Sequence, residues 1–118
     1  AATMIAHALD DTRVVIVNGA RQVGKSTVVR ATVRGRRDVL TRALDRPSDL
    51  AAARADPEGC VAHDGLLVVD EVQRAPEIVL PIKARVDQNE TPGQFLLTGS
   101  ARIMGMKSLP DALVGRSE

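Results

Sequence analysis

Gly19-Ala20-Arg21-Gln22-Val23-Gly24-Lys25-Ser26 has the form G-x-x-x-x-G-K-S, the pattern of a loop that wraps a phosphate. Its flanks decide how much the pattern means. Val14-Val15-Ile16-Val17, an unbroken apolar run, stands before it. Thr27-Val28-Val29-Arg30-Ala31-Thr32-Val33 follows and can continue as a helix. Strand, glycine-rich turn and helix are the setting in which this pattern binds phosphate. Gly19 and Gly24 let the backbone curl until successive N–H groups point at one anion. Lys25 brings a positive charge to the β- and γ-phosphates, and the Ser26 hydroxyl can hold Mg²⁺. The helix turns its positive end toward the same phosphates. The expected nucleotide-binding residues are Gly19, Ala20, Arg21, Gln22, Val23, Gly24, Lys25, Ser26 and Thr27.

Leu66-Leu67-Val68-Val69-Asp70-Glu71 is a second apolar strand, and it ends in two carboxylates. A strand buried on both faces delivers its C-terminal residues to the sheet edge where ligands sit. Asp70 is placed to orient Mg²⁺ through a water, and Glu71 to polarise an attacking water. A competing reading makes the pair a helix N-cap with an acidic first turn. The matched strand contexts of the two motifs favour the catalytic reading.

The chain has 118 residues, which suits one small domain, and its 44% hydrophobic and 26% charged content is that of a soluble globular protein. Phe95 is the only aromatic residue, so the core must come from Val, Leu, Ile and Ala. The same lack leaves no platform for stacking single-stranded nucleic acid. A net charge of +1 sets up no field toward nucleic acid or membrane. Arg30, Arg34, Arg36 and Arg37 cluster locally and read as a basic last helical turn closed by Gly35; an anionic partner is the alternative. Cys60 is alone, so no intramolecular disulfide forms and a reducing cytoplasm fits. His7 and His63 are isolated, without metal-ligand spacing. No apolar run approaches the ~18 residues of a membrane span, and the N-terminus lacks the signal-peptide pattern.

The remaining elements follow from spacing and punctuation. Ile5, Ala8 and Leu9 suggest a short helix over 3–10. A strand is expected from Arg13 to Val17, a second from Asp38 to Arg42, a third from Leu66 to Val69 and a fourth from Gln94 to Thr98. Ser48 or Asp49 can cap a helix over Leu50 to Ala55, ending at Asp56-Pro57. Ala75-Pro76-Glu77 looks like a helix entry, with Ile78, Ile82 and Val86 stepping along one face. Pro81 is awkward inside that helix, which can instead begin there.

Strands alternating with helices predict an α/β fold, a parallel sheet with right-handed crossovers in the three-layer sandwich of P-loop NTPases. The interval from Ser26 to Asp70 leaves room for one strand between the two motif strands. With Glu71 directly after Asp70, this suggests the additional-strand, catalytic-glutamate class. The fourth strand then lies beside the Asp70 strand. Thr98 or Ser100 at its end can reach the γ-phosphate or the attacking water, the sensor 1 role; an ordinary polar turn is the alternative.

Further stretches complete the picture: Ala52-Ala53-Arg54-Ala55-Asp56-Pro57-Glu58-Gly59, Val69-Asp70-Glu71-Val72-Gln73-Arg74-Ala75-Pro76-Glu77, Phe95-Leu96-Leu97-Thr98-Gly99-Ser100-Ala101 and Leu113-Val114-Gly115-Arg116. With the P-loop, they resemble the prokaryotic AAA-type ATPases whose N-terminal ATPase module precedes a C-terminal domain of unknown function. The family has Pro where Ala20 stands and usually Thr where Ser26 stands, and neither change threatens phosphate binding. The resemblance implies ATP as the nucleotide, a homo-oligomer or protein partner, and Arg116 as an arginine finger or γ-phosphate contact. It also implies a fifth core strand and a C-terminal domain beyond Arg116, so residues 1–118 read as the N-terminal part of one ATPase domain.

The leading expectation is ATP binding and Mg²⁺-dependent hydrolysis that drives conformational change in an attached domain or partner. A nucleotide-binding module with little turnover is the alternative. A small-molecule kinase ranks third, because Glu71 favours water as nucleophile and no acceptor lid is evident.

Overall fold

The computed structural model describes residues 7, 9–18 and 38–99. The P-loop, the helix after it, Ser100 and Arg116 lie outside these described residues. Four short strands form one sheet: β1 (Val14–Asn18), β2 (Leu40–Ala43), β3 (Leu67–Asp70) and β4 (Phe95–Gly99). Their order is β1-β4-β3-β2, and every pair is parallel. The strand expected in the interval from Ser26 to Asp70 is β2, at the edge of the sheet, and β4 is the strand that separates β1 from β3 in space.

The apolar runs explain the order. Leu67, Val68 and Val69 of β3 are buried, as are all five residues of β4. These two strands form the centre, covered on both faces. At the edge, β2 carries the exposed Thr41. Pleating sends alternate residues to opposite faces. Val14, Leu67, Val69, Phe95 and Leu97 join one core cluster, whereas Val15, Val68 and Leu96 join another with Leu9 and Leu66. The larger cluster packs under α1 (Pro47–Ala55), α2 (Pro57–Cys60) and α3 (Val79–Gln88).

Element edges differ from expectation for identifiable reasons. Helix α1 starts at Pro47, in the first helical turn where proline needs no N–H partner, and neither Ser48 nor Asp49 caps it. The Asp49 carboxylate instead accepts from the Ala43 N–H at 2.9 Å, tying α1 to the end of β2. Asp56 caps α2, accepting from the Gly59 N–H at 3.1 Å. β2 starts at Leu40 rather than Asp38, whose φ of 55° lies in the left-handed region. Helix α3 begins at Val79 after 3₁₀ turns at Val72–Arg74 and Pro76–Ile78. Pro81 thus sits in the first α turn, where its missing N–H leaves nothing unsatisfied and forces no kink. Val79, Ile82 and Val86 are the buried face of α3.

Candidate nucleotide-binding site

The C-terminal ends of β1, β4 and β3 lie side by side. Asn18 pairs with Gly99, and Val17 with Thr98. On the other flank of β4, Val69 pairs with Leu97. The chain therefore leaves β1 after Asn18 at the sheet edge that carries Thr98 and Asp70. In an open parallel sheet this edge is where ligands bind.

Thr98 is fully buried at the centre of that edge, and its hydroxyl donates to Oδ1 of Asp70. The backbone carbonyl of Asp70 is fixed from the opposite side by the Leu44 N–H at 3.0 Å. A partly exposed carboxylate is thereby oriented by a buried hydroxyl on one neighbouring strand and anchored through its backbone to the end of the other.

Glu71 leaves the strand abruptly. Its φ is 60° and ψ 49°, left-handed values that cost a side-chain-bearing residue about 1–2 kcal/mol. It occupies the N-cap position of the following 3₁₀ turn, yet its side chain makes no cap bond there. The capping alternative for the acidic pair is thus not realised. The Glu71 carboxylate accepts from Gln73 Nε2 at 2.7 Å, while its carbonyl accepts from the Arg74 N–H at 3.0 Å. Sequence reasoning assigned Gln73 no role. Its spacing two residues past Glu71 was visible, but the backbone reversal that brings the two side chains together was not.

The donor set is compatible with Mg²⁺. Among the described residues, no group of three or more His, Cys, Asp or Glu side chains could hold a metal. Mg²⁺ is commonly held by one or two protein oxygens, with phosphates and waters completing its shell. Asp70 would supply one such oxygen, directly or through a water, and Ser26 would supply the second from outside the described residues.

Other motif residues have structural places. In the Asp-Pro-Glu-Gly stretch, Asp56 and Gly59 form the α2 cap. Cys60 is buried, and burial pushes its thiol above the ordinary value of 9.0; Arg42 opposes this, while Asp49 and Asp56 add to it. His63 meets the backbone carbonyl oxygen of Asp38 through Nε2. An open groove of about 380 Å³ lies among His63, Arg85 and Gln94, beside the starts of β3 and β4 and away from the carboxylate edge. No helix among the described residues is long and apolar enough to cross a membrane.

A parallel sheet in the order β1-β4-β3-β2, flanked by helices, defines an α/β sandwich of the P-loop NTPase type. Within that class the AAA domain family matches residues 11–118, and the chain belongs to that family of nucleotide-binding ATPase domains. It is 34% identical over 121 aligned positions to an uncharacterized protein of Mycobacterium bovis and equally to one of Mycobacterium tuberculosis. Each alignment covers 100% of this chain and 26% of the relative, so the chain spans about a quarter of the length of these relatives. No solved structure matches the chain significantly.

Proposed function

We propose that this domain binds ATP through Gly19 to Thr27 and hydrolyses it to ADP and phosphate with Mg²⁺, driving conformational change in an attached domain or partner. The observation that carries this reading is the placement of β4 between β1 and β3. It puts the exit toward the P-loop, the Thr98 hydroxyl and the Asp70-Glu71 pair on one edge.

Each residue then has a task. The P-loop amides and Lys25 hold the phosphates. Ser26 and Asp70 hold Mg²⁺, which when bound neutralises charge building on the phosphates. Thr98 fixes the carboxylate of Asp70. Glu71 takes a proton from the attacking water as its oxygen bonds to the γ-phosphorus and the bond to the bridging oxygen of ADP breaks. Ser100 is a further sensor candidate. Arg116 is the candidate arginine finger, acting within its own chain or on a neighbouring copy.

Calorimetry with ATP, ADP and GTP, with and without Mg²⁺, tests the binding half, and phosphate release at saturating Mg-ATP tests the hydrolytic half. Mg²⁺-dependent ATP binding with phosphate release is expected. Binding without release would leave only a nucleotide-binding module. Absence of nucleotide binding would overturn the reading.

A further inference from the structure

Two costs are concentrated within three residues of the sheet edge. Glu71 holds a left-handed backbone. Two positions on, the Oε1 atom of Gln73 is buried with no hydrogen-bond partner among the described residues. Buried acceptors are nearly always paired, and one left unpaired penalises the fold. The orientation of this amide is dictated by its neighbour. Turning it over would place Oε1 against the carboxylate oxygen of Glu71, so the NH₂ group must face Glu71 and the carbonyl oxygen must remain orphaned.

An apolar side chain of similar length would remove the orphaned acceptor. What it could not do is donate to Glu71. We infer that Gln73 is a positioning residue for Glu71, its amide holding the carboxylate where the attacking water is polarised. The inference rests on Glu71 as the base proposed above. Val72 provides the anchor: it is fully buried in the core cluster, so the turn that carries Gln73 is pinned to the sheet. The Gln73 side chain thus bridges a core-anchored turn and a carboxylate on a strained exit from β3. Small displacements of a reacting group cost large factors in rate, which gives this tether its use.

The test is Gln73→Met, which keeps side-chain length, removes the donor and removes the orphaned acceptor. Purified wild-type protein, Gln73→Met, Glu71→Gln and the double variant are compared in Mg-ATP turnover, and their nucleotide-free forms in thermal unfolding. Gln73→Met is expected to lower kcat by about tenfold or more, to leave KM within about twofold, and to leave the melting temperature equal or higher. In the Glu71→Gln background the same change should have no further effect on kcat, because the two residues act as one unit. Gln73→Met with wild-type kcat, or with kcat and melting temperature falling together, would overturn the positioning role. Wild-type turnover by Glu71→Gln would instead remove the assignment of Glu71 as base, a distinct failure. Gln73→Ala repeats the comparison without the thioether; unchanged kcat there would likewise overturn the role.

Discussion

The Thr98 hydroxyl donates to Oδ1 of Asp70 across the boundary between β4 and β3, one step beyond the last paired residues, Val69 and Leu97. The register of the two central strands therefore sets the orientation of the candidate metal-binding carboxylate. The hydroxyl expected to reach the γ-phosphate or the attacking water donates its hydrogen bond to the acid beside it.

Thr98→Val keeps the shape of the side chain and deletes this bond. The Asp70 carboxylate is partly exposed, so water can replace some of what is lost. We expect about 1 kcal/mol of destabilisation in thermal unfolding. The larger effect should be on the metal, with the Mg²⁺ concentration for half-maximal turnover rising about tenfold or more, as when a supporting ligand contact is lost. An unchanged Mg²⁺ requirement would show that Thr98 does not orient Asp70 for metal.

Lys25→Ala should weaken ATP binding severely. A charge-assisted contact to phosphate contributes about 1.5–3 kcal/mol, or roughly ten- to over a hundredfold in affinity. Calorimetry of the wild type and the variant with Mg-ATP decides it. Equal affinities would dismiss the phosphate-binding assignment of the loop.

Cys60 makes stability depend on pH at the alkaline end. Burial raises its pKa in the folded state, so between the unfolded and folded values the native chain holds a proton that the unfolded chain has released. Its contribution is complete below the unfolded pKa and is lost as pH rises through the folded one. Urea midpoints measured from pH 7 upward should fall above about pH 9. They should fall less steeply in Cys60→Ala. Parallel curves for the two proteins would mean that the thiol is not protected by the fold.

Gly65 and Gly59 should respond differently to alanine. A Cβ on Gly65 would meet the backbone carbonyl oxygen of Asp38, a residue itself held at φ 55°. A Cβ on Gly59 would meet the carboxylate of Asp56, a side chain that can swing away and lose only its cap. Overpacking against backbone costs about 1–3 kcal/mol, whereas a lost cap costs about 1 kcal/mol. Chemical unfolding should therefore rank Gly65→Ala as the more damaging. The reverse order would contradict the close approach of Gly65 to Asp38.

The sheet was legible because its signals are local. Val14 to Val17, Leu66 to Val69 and Phe95 to Leu97 are short apolar runs, bounded by turn residues, that read as strands of a covered parallel sheet. The P-loop and the terminal carboxylates then order the strands. Side-chain partnerships were less legible because they depend on backbone direction at single residues. Asp49 looks like a cap until Pro47 starts the helix earlier, which frees the carboxylate for Ala43. Gln73 has no sequence signature as a partner of Glu71, since no pattern announces a left-handed glutamate. Thr98 was noticed as a polar residue at a strand end, but its partner follows from register.

Glu71→Gln gives the most direct measurement of the central claim. The amide preserves side-chain size but cannot take a proton from water. Mg-ATP binding by calorimetry and phosphate release in a single turnover should be measured on the same preparation. The account predicts affinity within about twofold of wild type and phosphate release slowed by about a hundredfold or more. Release at the wild-type rate would contradict it and leave Glu71 a structural residue at the end of β3.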